Sequence, residues 1–276
     1  MGQIDELWRY DGRRTVVTGC ASGIGEHVVR QLTDLGAYVV GLDQRRPAFE
    51  INEFHEVDLA DPGSIDRAVA SIGGRVDALF NVAGVSSGIG NPPLVVTINF
   101  LGLRHLTEAL IPKMTEGSSI VSVSSLAAAA YREHLRSVAP LLNTATMQEG
   151  IGWCHAHPDE LTGGGYQLSK EAIILYTMRS AGSLGARGIR INCTGPGVTE
   201  TPILEQLRTA YGQGFLDDIP KPLGRVAGPA EQASVLLFLN SRAASYISGQ
   251  VVWVDGGNVA ASIARELEEG RARWQL

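Results

Sequence analysis

The sequence predicts a single doubly wound α/β domain around a parallel sheet of about seven strands. A β-branched run at 14–18 leads into a glycine-rich turn at 19–25 and an amphipathic segment. A second apolar run, Tyr38 to Leu42, follows and ends on Asp43. Strand, turn, helix and strand in this order form a βαβ unit, which requires parallel strands. Further short apolar runs recur to the end of the chain, as such a sheet needs.

Composition narrows the classes of function. The chain has 276 residues and a net charge of −6, which disfavours nucleic acid or an anionic membrane surface as the main partner. Cys20, Cys154 and Cys193 are odd in number and widely spaced, so we expect reduced thiols in a cytoplasmic protein. The first residues lack a signal-peptide pattern, and no run approaches the ~18 apolar residues of a membrane span.

The glycine turn has the features of a dinucleotide site. Its glycines let backbone amides approach a pyrophosphate at a helix N-terminus, where the helix dipole favours anions. An acidic residue that ends the second strand, here Asp43, can bind the two ribose hydroxyls of an adenosine. The alternative is a glycine turn without a ligand, and the joint occurrence of strand, turn, helix and Asp43 disfavours it.

Tyr166 and Lys170 are candidates for proton chemistry. Residues four apart share one face of a helix, so the ammonium would lower a phenol pKa that is ordinarily ~10. Tyr166 would then be a general acid/base at neutral pH. The same spacing occurs on many solvated helices, so the interpretation depends on the rest of the chain.

A series of motifs supplies that context, and their order over about residues 12–257 resembles the short-chain dehydrogenase/reductase family. Three residues separate the first two glycines of the turn, as in the compact single-domain branch of that family. The matching segments are Thr18–Gly25, Asp58-Leu59, Asn81–Gly84, Val96–Phe100, Ile120–Ser125, Tyr166–Lys170, Pro196–Thr201 and Val251–Gly257.

The resemblance implies a Rossmann fold, with residues 1–276 as one catalytic domain, and a site for NAD. Asp43 would repel the 2′-phosphate of NADP, and Arg45 and Arg46 are expected to be solvated turn residues. The cofactor-binding residues that the resemblance implies are Gly19, Ser22, Gly23, Ile24, Gly25, Asp43, Asp58, Leu59, Asn81, Ala83, Gly84, Tyr166, Lys170, Pro196, Gly197, Val198 and Thr201.

The same resemblance implies a catalytic set of Asn99, Ser125, Tyr166 and Lys170. Tyr166 would exchange the proton, and Ser125 would hydrogen-bond the substrate oxygen. Lys170 would lower the Tyr166 pKa and hold the nicotinamide ribose, while Asn99 would fix a water that links Lys170 to solvent. The nearby hydroxyls at 122 and 124 are alternatives, but they share one face of the strand, whereas Ser125 follows its end.

Two segments depart from the family pattern. An insertion at about 128–160 reads as two short helices, Tyr131 to Leu142 and Ala145 to His155, with Thr144 and Thr162 as caps. Its length resembles the 3α-hydroxysteroid dehydrogenase/carbonyl reductase and coniferyl-alcohol dehydrogenase types within the family. A C-terminal extension at 258–276 should carry a surface or interface helix from Ile263 to Trp274.

The resemblance thus implies interconversion of a secondary or allylic alcohol and its carbonyl with NAD. Apolar residues between Thr201 and Pro222, interrupted by glycines, predict a lid over a bulky apolar substrate. A non-catalytic NAD-binding regulator and a cofactor-assisted dehydratase or epimerase are the alternatives. We expect a homodimer through the last strand and the helix Pro229 to Leu239, with a tetramer as its competitor.

No metal is expected. Cys154, His155, His157 and Asp159 are ligand types, but their spacing fits none of the common zinc patterns. His27 and His105 fall on predicted amphipathic helices and are expected to pack or to contact solvent.

Overall fold

The computed structural model describes residues 3–270 and contains one sheet of seven parallel strands in the order β3-β2-β1-β4-β5-β6-β7. The predicted doubly wound α/β fold is confirmed, since the chain starts near the middle of the sheet and reverses direction between β3 and β4. The strands are β1 (Arg14–Thr18), β2 (Tyr38–Asp43), β3 (Glu53–Glu56), β4 (Ala78–Asn81), β5 (Ser119–Val123), β6 (Arg190–Pro196) and β7 (Val251–Val254).

Helices cover both faces of this sheet. Buried strand side chains such as Val16 and Val17 point to opposite faces, so the central strands are apolar throughout. The helices are α1 (Gln3–Trp8), α2 (Gly23–Asp34), α3 (Pro62–Ser71), α4 (Pro92–Val96), α5 (Leu103–Leu110), α6 (Leu135–Leu142), α7 (Met147–Ala156), α8 (Tyr166–Gly185), α9 (Pro202–Tyr211), α10 (Gln213–Asp217), α11 (Pro229–Asn240) and α12 (Asn258–Glu268). One core lies under α2 and α11, the other under α3, α5 and α8.

A continuous helix from Pro92 to Lys113 runs through α4 and α5. Between them the chain forms a π-helical turn at Thr97–Gly102, which the sequence analysis did not predict. The helix is long and apolar enough to span a membrane, contrary to our expectation that no segment would be, but 67% of its most apolar window is buried inside the protein. It is the central helix of one core.

The insertion forms the two predicted helices with shifted bounds. α6 begins at Leu135, because residues 131–134 form turns, and α7 runs from Met147 to Ala156. α6 packs on α8, and α7 packs on α4 and the π turn. The contact with the π turn is close, since a Cβ at Gly150 would lie 2.4 Å from Leu101 Cδ2. The insertion therefore covers helices of its own subunit.

The predicted caps of the insertion helices are wrong. Thr146 caps α7, because its hydroxyl accepts a hydrogen bond from the Glu149 amide at 3.1 Å. Thr144 instead donates its hydroxyl hydrogen to Leu141 O at 2.8 Å and so ends α6. Thr162 lies in a turn before α8, whose N-cap position is Gly165 without a side-chain bond.

The C-terminal helix begins earlier than predicted. α12 spans Asn258–Glu268, and the Asp255 carboxylate accepts hydrogen bonds from the amides of Gly257 at 3.0 Å and Val259 at 2.7 Å. These bonds satisfy orphan amides of the first helical turn, so the helix follows β7 almost directly. The end of the predicted helix, 271–274, lies outside the described residues.

Arg104 should be a main anchor of the insertion. Its buried guanidinium donates to Leu142 O at 3.5 Å, Thr144 Oγ1 at 3.1 Å and Thr146 O at 3.2 Å. We expect Arg104→Met to lower the free energy of unfolding by about 2–4 kcal/mol, because buried acceptors lose a charged donor. Denaturant titration measures this loss.

The control is Arg187→Met, which removes an exposed guanidinium that donates to Ile111 O at 3.1 Å. It should cost less than about 1 kcal/mol. If the two variants were equally stable, apolar packing alone would hold the insertion in place.

Candidate active site

A cavity of about 870 Å³ opens at the carboxyl ends of the strands. This is the edge at which doubly wound sheets bind ligands, next to the point where the strand order reverses. Every cofactor-binding or catalytic residue predicted above lines the cavity except Asn81 and Asn99. The predicted residues therefore line one site, although they come from segments between positions 19 and 201 of the sequence.

The glycine turn is fitted to its surroundings by backbone contacts. Gly19 has φ of +69°, and a Cβ there would lie 2.9 Å from Ala83 Cα. A Cβ at Gly25 would lie 2.0 Å from Gly19 O, so only glycine permits this path of the chain. α2 begins at Gly23, and its first residues line the cavity, so a helix N-terminus lies where the pyrophosphate of a dinucleotide could bind.

Two carboxylates hold the neighbouring loops. Asp43, at the end of β2, accepts hydrogen bonds from the amides of Ala21 at 3.1 Å and Arg45 at 3.0 Å. Asp58 accepts from the Ala60 amide at 2.9 Å and from Gln44 Nε2 at 3.1 Å. Arg45, expected to be only a solvated turn residue, also lines the cavity, beside Asp43.

The side chain of Asn81 contacts β5 and α5 and does not line the cavity. Its Nδ2 donates to Thr107 Oγ1 at 2.9 Å and to Ser122 Oγ at 3.3 Å, and the side chain is fully buried. Its contact with the cofactor stays a prediction. Asn81 ties β4 to β5 and α5, while the following residues, Ala83 and Gly84, reach the cavity.

The three neighbouring serines have different partners. Ser122 is bound by Asn81, and Ser124 Oγ donates to Lys170 O at 2.7 Å. Ser125 lines the cavity together with Tyr166, and its side chain lowers the Tyr166 pKa. It also accepts from the Ala127 amide at 3.2 Å. Ser125 is therefore the serine placed to contact a substrate oxygen next to Tyr166.

Tyr166 and Lys170 lie together but influence each other less than predicted. Lys170 Nζ is 5.5 Å from the centre of the Tyr166 ring and donates to Val123 O at 3.0 Å. Burial raises the pKa of Tyr166, and the neighbouring Ser125 side chain opposes that rise. Burial also lowers the pKa of Lys170 to about 8. The direction of the Tyr166 pKa is thus opposite to the expected lowering, because burial outweighs the effect of Ser125.

Asn99 lies on the π turn beneath this pair. Its Oδ1 accepts from the Val85 amide at 2.8 Å, and its Nδ2 donates to Val85 O at 2.9 Å and Ser169 Oγ at 3.3 Å. The amide therefore connects the loop after β4 to α8. Its side-chain atoms bind protein partners, and its role of fixing a water stays a prediction. π turns often occur at functional sites, and the side-chain pattern alone does not reveal them.

Three consecutive glycines precede Tyr166, a pattern that is visible in the sequence and bears on the site. Residues 163–165 all have positive φ, and a Cβ at Gly165 would lie 2.4 Å from Pro92 O. A side chain here would push the start of α8 away from α4. The glycines thus allow Tyr166 to sit at the first position of its helix, against the cavity.

The segment after β6 forms the apolar wall of the cavity, as predicted. The lining side chains on α9, on α10 and after them are Ile203, Leu204, Leu207, Tyr211, Phe215, Leu216 and Ile219. Two contacts that were not predicted join this wall to the loop after β4. Ser86 Oγ donates to Gln206 Oε1 at 3.0 Å, and the Tyr211 hydroxyl donates to Ser87 Oγ at 3.0 Å.

Other titratable groups lie away from the cavity. Within residues 3–270, no three His, Cys, Asp or Glu side chains are grouped as metal ligands would be. Cys154 is buried, and Trp153 stacks on His157 with ring centres 4.8 Å apart. His105 pairs with Asp66 at 2.8 Å on the surface.

Comparison with known proteins agrees with this geometry. Residues 13–137 match the family model described as short chain dehydrogenase, and residues 145–258 match the one described as enoyl-(acyl carrier protein) reductase. A coniferyl-alcohol dehydrogenase from a Pseudomonas species is 36% identical over 89% of this chain and 96% of its own. A 3-alpha-hydroxysteroid dehydrogenase/carbonyl reductase from Comamonas testosteroni is 32% identical over 88% of this chain and 95% of its own.

A solved structure extends the likeness to the fold. The 3-alpha-hydroxysteroid dehydrogenase from a Pseudomonas species, complexed with NADH, superposes with a TM-score of 0.77 at 31% identity. The match covers 94% of this chain and all of that one. With these matches, the glycine turn and the Ser125, Tyr166 and Lys170 cluster, the chain belongs to the short-chain dehydrogenase/reductase family, oxidoreductases that bind a nicotinamide cofactor.

Proposed function

We propose that this protein is an NAD-dependent oxidoreductase that interconverts a bulky, largely apolar secondary or allylic alcohol and its carbonyl compound. The observation that carries the proposal is that Tyr166 and Ser125 line one cavity together with the glycine turn and the apolar wall of α9 and α10. A cofactor and an apolar alcohol could both be bound there within reach of one proton donor.

The side chains divide the work of the reaction. A bound nicotinamide supplies the hydride chemistry. In the reductive direction the Tyr166 phenol transfers its proton to the carbonyl oxygen of the substrate, while Ser125 donates a hydrogen bond to the same oxygen. Because burial raises the Tyr166 pKa, the phenol is protonated at neutral pH and suits this direction. Oxidation of the alcohol needs the Tyr166 phenolate as the proton acceptor, so alkaline pH favours the oxidative direction.

Lys170 can hydrogen-bond both the protein backbone and the cofactor. Burial lowers its pKa to about 8, so the ammonium form predominates below that pH. In that form it donates to Val123 O and has further hydrogens to offer to a nicotinamide ribose. Lys170 therefore fixes the end of β5 relative to the cofactor half of the cavity.

Two classes of substrate suit the apolar wall. The relatives named above act on coniferyl alcohol and on 3-alpha-hydroxysteroids, and both are bulky and largely apolar. A regulator that binds NAD without catalysis has no use for the complete Ser125, Tyr166 and Lys170 cluster. A dehydratase or epimerase would return its cofactor unchanged, which separates it from the proposal by experiment.

The proposal is tested by NADH formation with a panel of aromatic, steroidal, terpenoid and small polar alcohols. We expect aromatic or steroidal alcohols to have the highest kcat/KM, because the apolar wall desolvates them at little cost. Tyr166→Phe keeps the ring and should lower kcat by about 10²–10⁴-fold, while NAD binding persists. Preference for sugars, or a Tyr166→Phe variant with substantial kcat, would refute the proposal.

Asp43 should set the preference for NAD over NADP. Its carboxylate would accept bonds from ribose hydroxyls and repel a 2′-phosphate, while Arg45 beside it would attract one. We expect Asp43→Asn to lower the NAD to NADP ratio of kcat/KM by at least about tenfold. Arg45→Ala is the matched variant and should raise that ratio. A wild type that favours NADP would show that Arg45 outweighs Asp43.

We propose a cytoplasmic homodimer. The insertion packs on α8 and on the helix through α4 and α5, surfaces through which subunits of this family commonly associate. β7, at the edge of the sheet, and α11 would then form a two-fold contact. Sedimentation equilibrium should give twice the chain mass. A tetramer joined through α8 would contradict the proposal.

A further inference from the structure

A polar cluster on α8 has no part in the mechanism described so far. Gln167, next to Tyr166, lines the cavity, and its Nε2 donates to Glu171 Oε1 at 3.0 Å. Glu171 is 1% exposed, and His134 of the insertion contacts the same carboxylate oxygen through Nδ1 at 2.7 Å. A buried carboxylate destabilises a protein unless it is paired, and here His134 and Gln167 pair it. These contacts also constrain the Gln167 side chain.

The carboxylate fixes which way the Gln167 amide faces. An ionised carboxylate only accepts hydrogen bonds, so the NH₂ end of Gln167 must face Glu171. If the amide were turned over, two acceptor oxygens would meet at 3.0 Å. His134 Nδ1 must carry a hydrogen to bind Glu171, so it does not compete as an acceptor for Gln167, which lies 3.4 Å away.

The carbonyl oxygen of the Gln167 amide consequently lies on the side away from Glu171. This Oε1 atom lies 3.7 Å from the Cβ position of Gly163, another residue that lines the cavity, and within residues 3–270 no donor is found for it. The nearby polar lining residues differ, because Ser87 and Tyr211 bind each other and Gln206 binds Ser86. Gln167 thus lines a mostly apolar cavity and carries an acceptor without a protein partner among the described residues.

We propose that Gln167 Oε1 selects substrates that carry a second hydroxyl group besides the reacting one, and that Glu171 and His134 position it. This inference rests on the proposed function. An acceptor held in place rejects an analogue that lacks the donor, because the acceptor is then buried without a partner. The insertion, through His134, thereby takes part in the choice of substrate.

The test compares ring-hydroxylated cinnamyl alcohols, meta and para, with their methyl ethers, using NAD and the full-length enzyme. The methyl ether keeps the oxygen and removes only the donor hydrogen. We expect wild type to prefer the hydroxyl compound in at least one position by about tenfold in kcat/KM. Gln167→Met, which keeps the length of the side chain, should bring that ratio close to one. A general loss of activity cancels in the ratio.

Glu171→Gln is the second variant, because its amide can donate or accept and no longer fixes the direction of Gln167. It should lower the hydroxyl to ether ratio as well, and it tests whether Glu171 positions Gln167. A purely structural role would lower kcat/KM for both compounds equally and would leave the ratio unchanged.

If steroids are the better substrates, the same ratio is measured for a dihydroxysteroid and its monomethyl ether. A wild-type ratio near one in both classes, or a preference that Gln167→Met retains, would overturn the inference while the proposed function stands. Absence of turnover in both classes would refute the proposed function itself, and this inference with it.

Discussion

A reciprocal pair of hydrogen bonds joins the end of β5 to α8, and the site depends on it. Ser124 Oγ donates to Lys170 O at 2.7 Å, and Lys170 Nζ donates to Val123 O at 3.0 Å. Both bonds are buried, so their loss would leave polar groups without partners. Ser125 follows Ser124 directly, and Tyr166 precedes Lys170 by one helical turn. The pair of bonds therefore helps to place Ser125 and Tyr166, from distant parts of the chain, in the lining of one cavity.

The two halves of the cavity are built by different means. Backbone contacts that only glycine permits, such as those at Gly19 and Gly25, shape the half that fits a dinucleotide. Side chains of α9, α10 and the insertion's neighbour Gln167 shape the other half. A substrate preference can thus change through side chains while the cofactor half stays the same, which agrees with relatives that act on different alcohols.

The sequence predicted the fold and most of the site because both depend on local signals. Alternating strands and helices, and the glycines after β1, can be recognised within short windows of sequence. The features of the site that the sequence did not predict depend on contacts between distant residues. Asn81 points into the core because its amide donates hydrogen bonds to Thr107 and Ser122. The raised pKa of Tyr166 follows from burial, which the spacing of residues in the sequence does not reveal. The orientation of Gln167 likewise requires His134 and Glu171 in three dimensions.

The most direct test of hydride transfer uses an alcohol deuterated at its reacting carbon. We expect one deuterium atom per turnover on the nicotinamide ring of the NADH formed, as seen by NMR or mass spectrometry. We also expect that Tyr166→Phe transfers almost none, because the hydroxyl proton then has no acceptor. Deuterium that appears in water, or a dehydrated or epimerised product without NADH, would contradict the account.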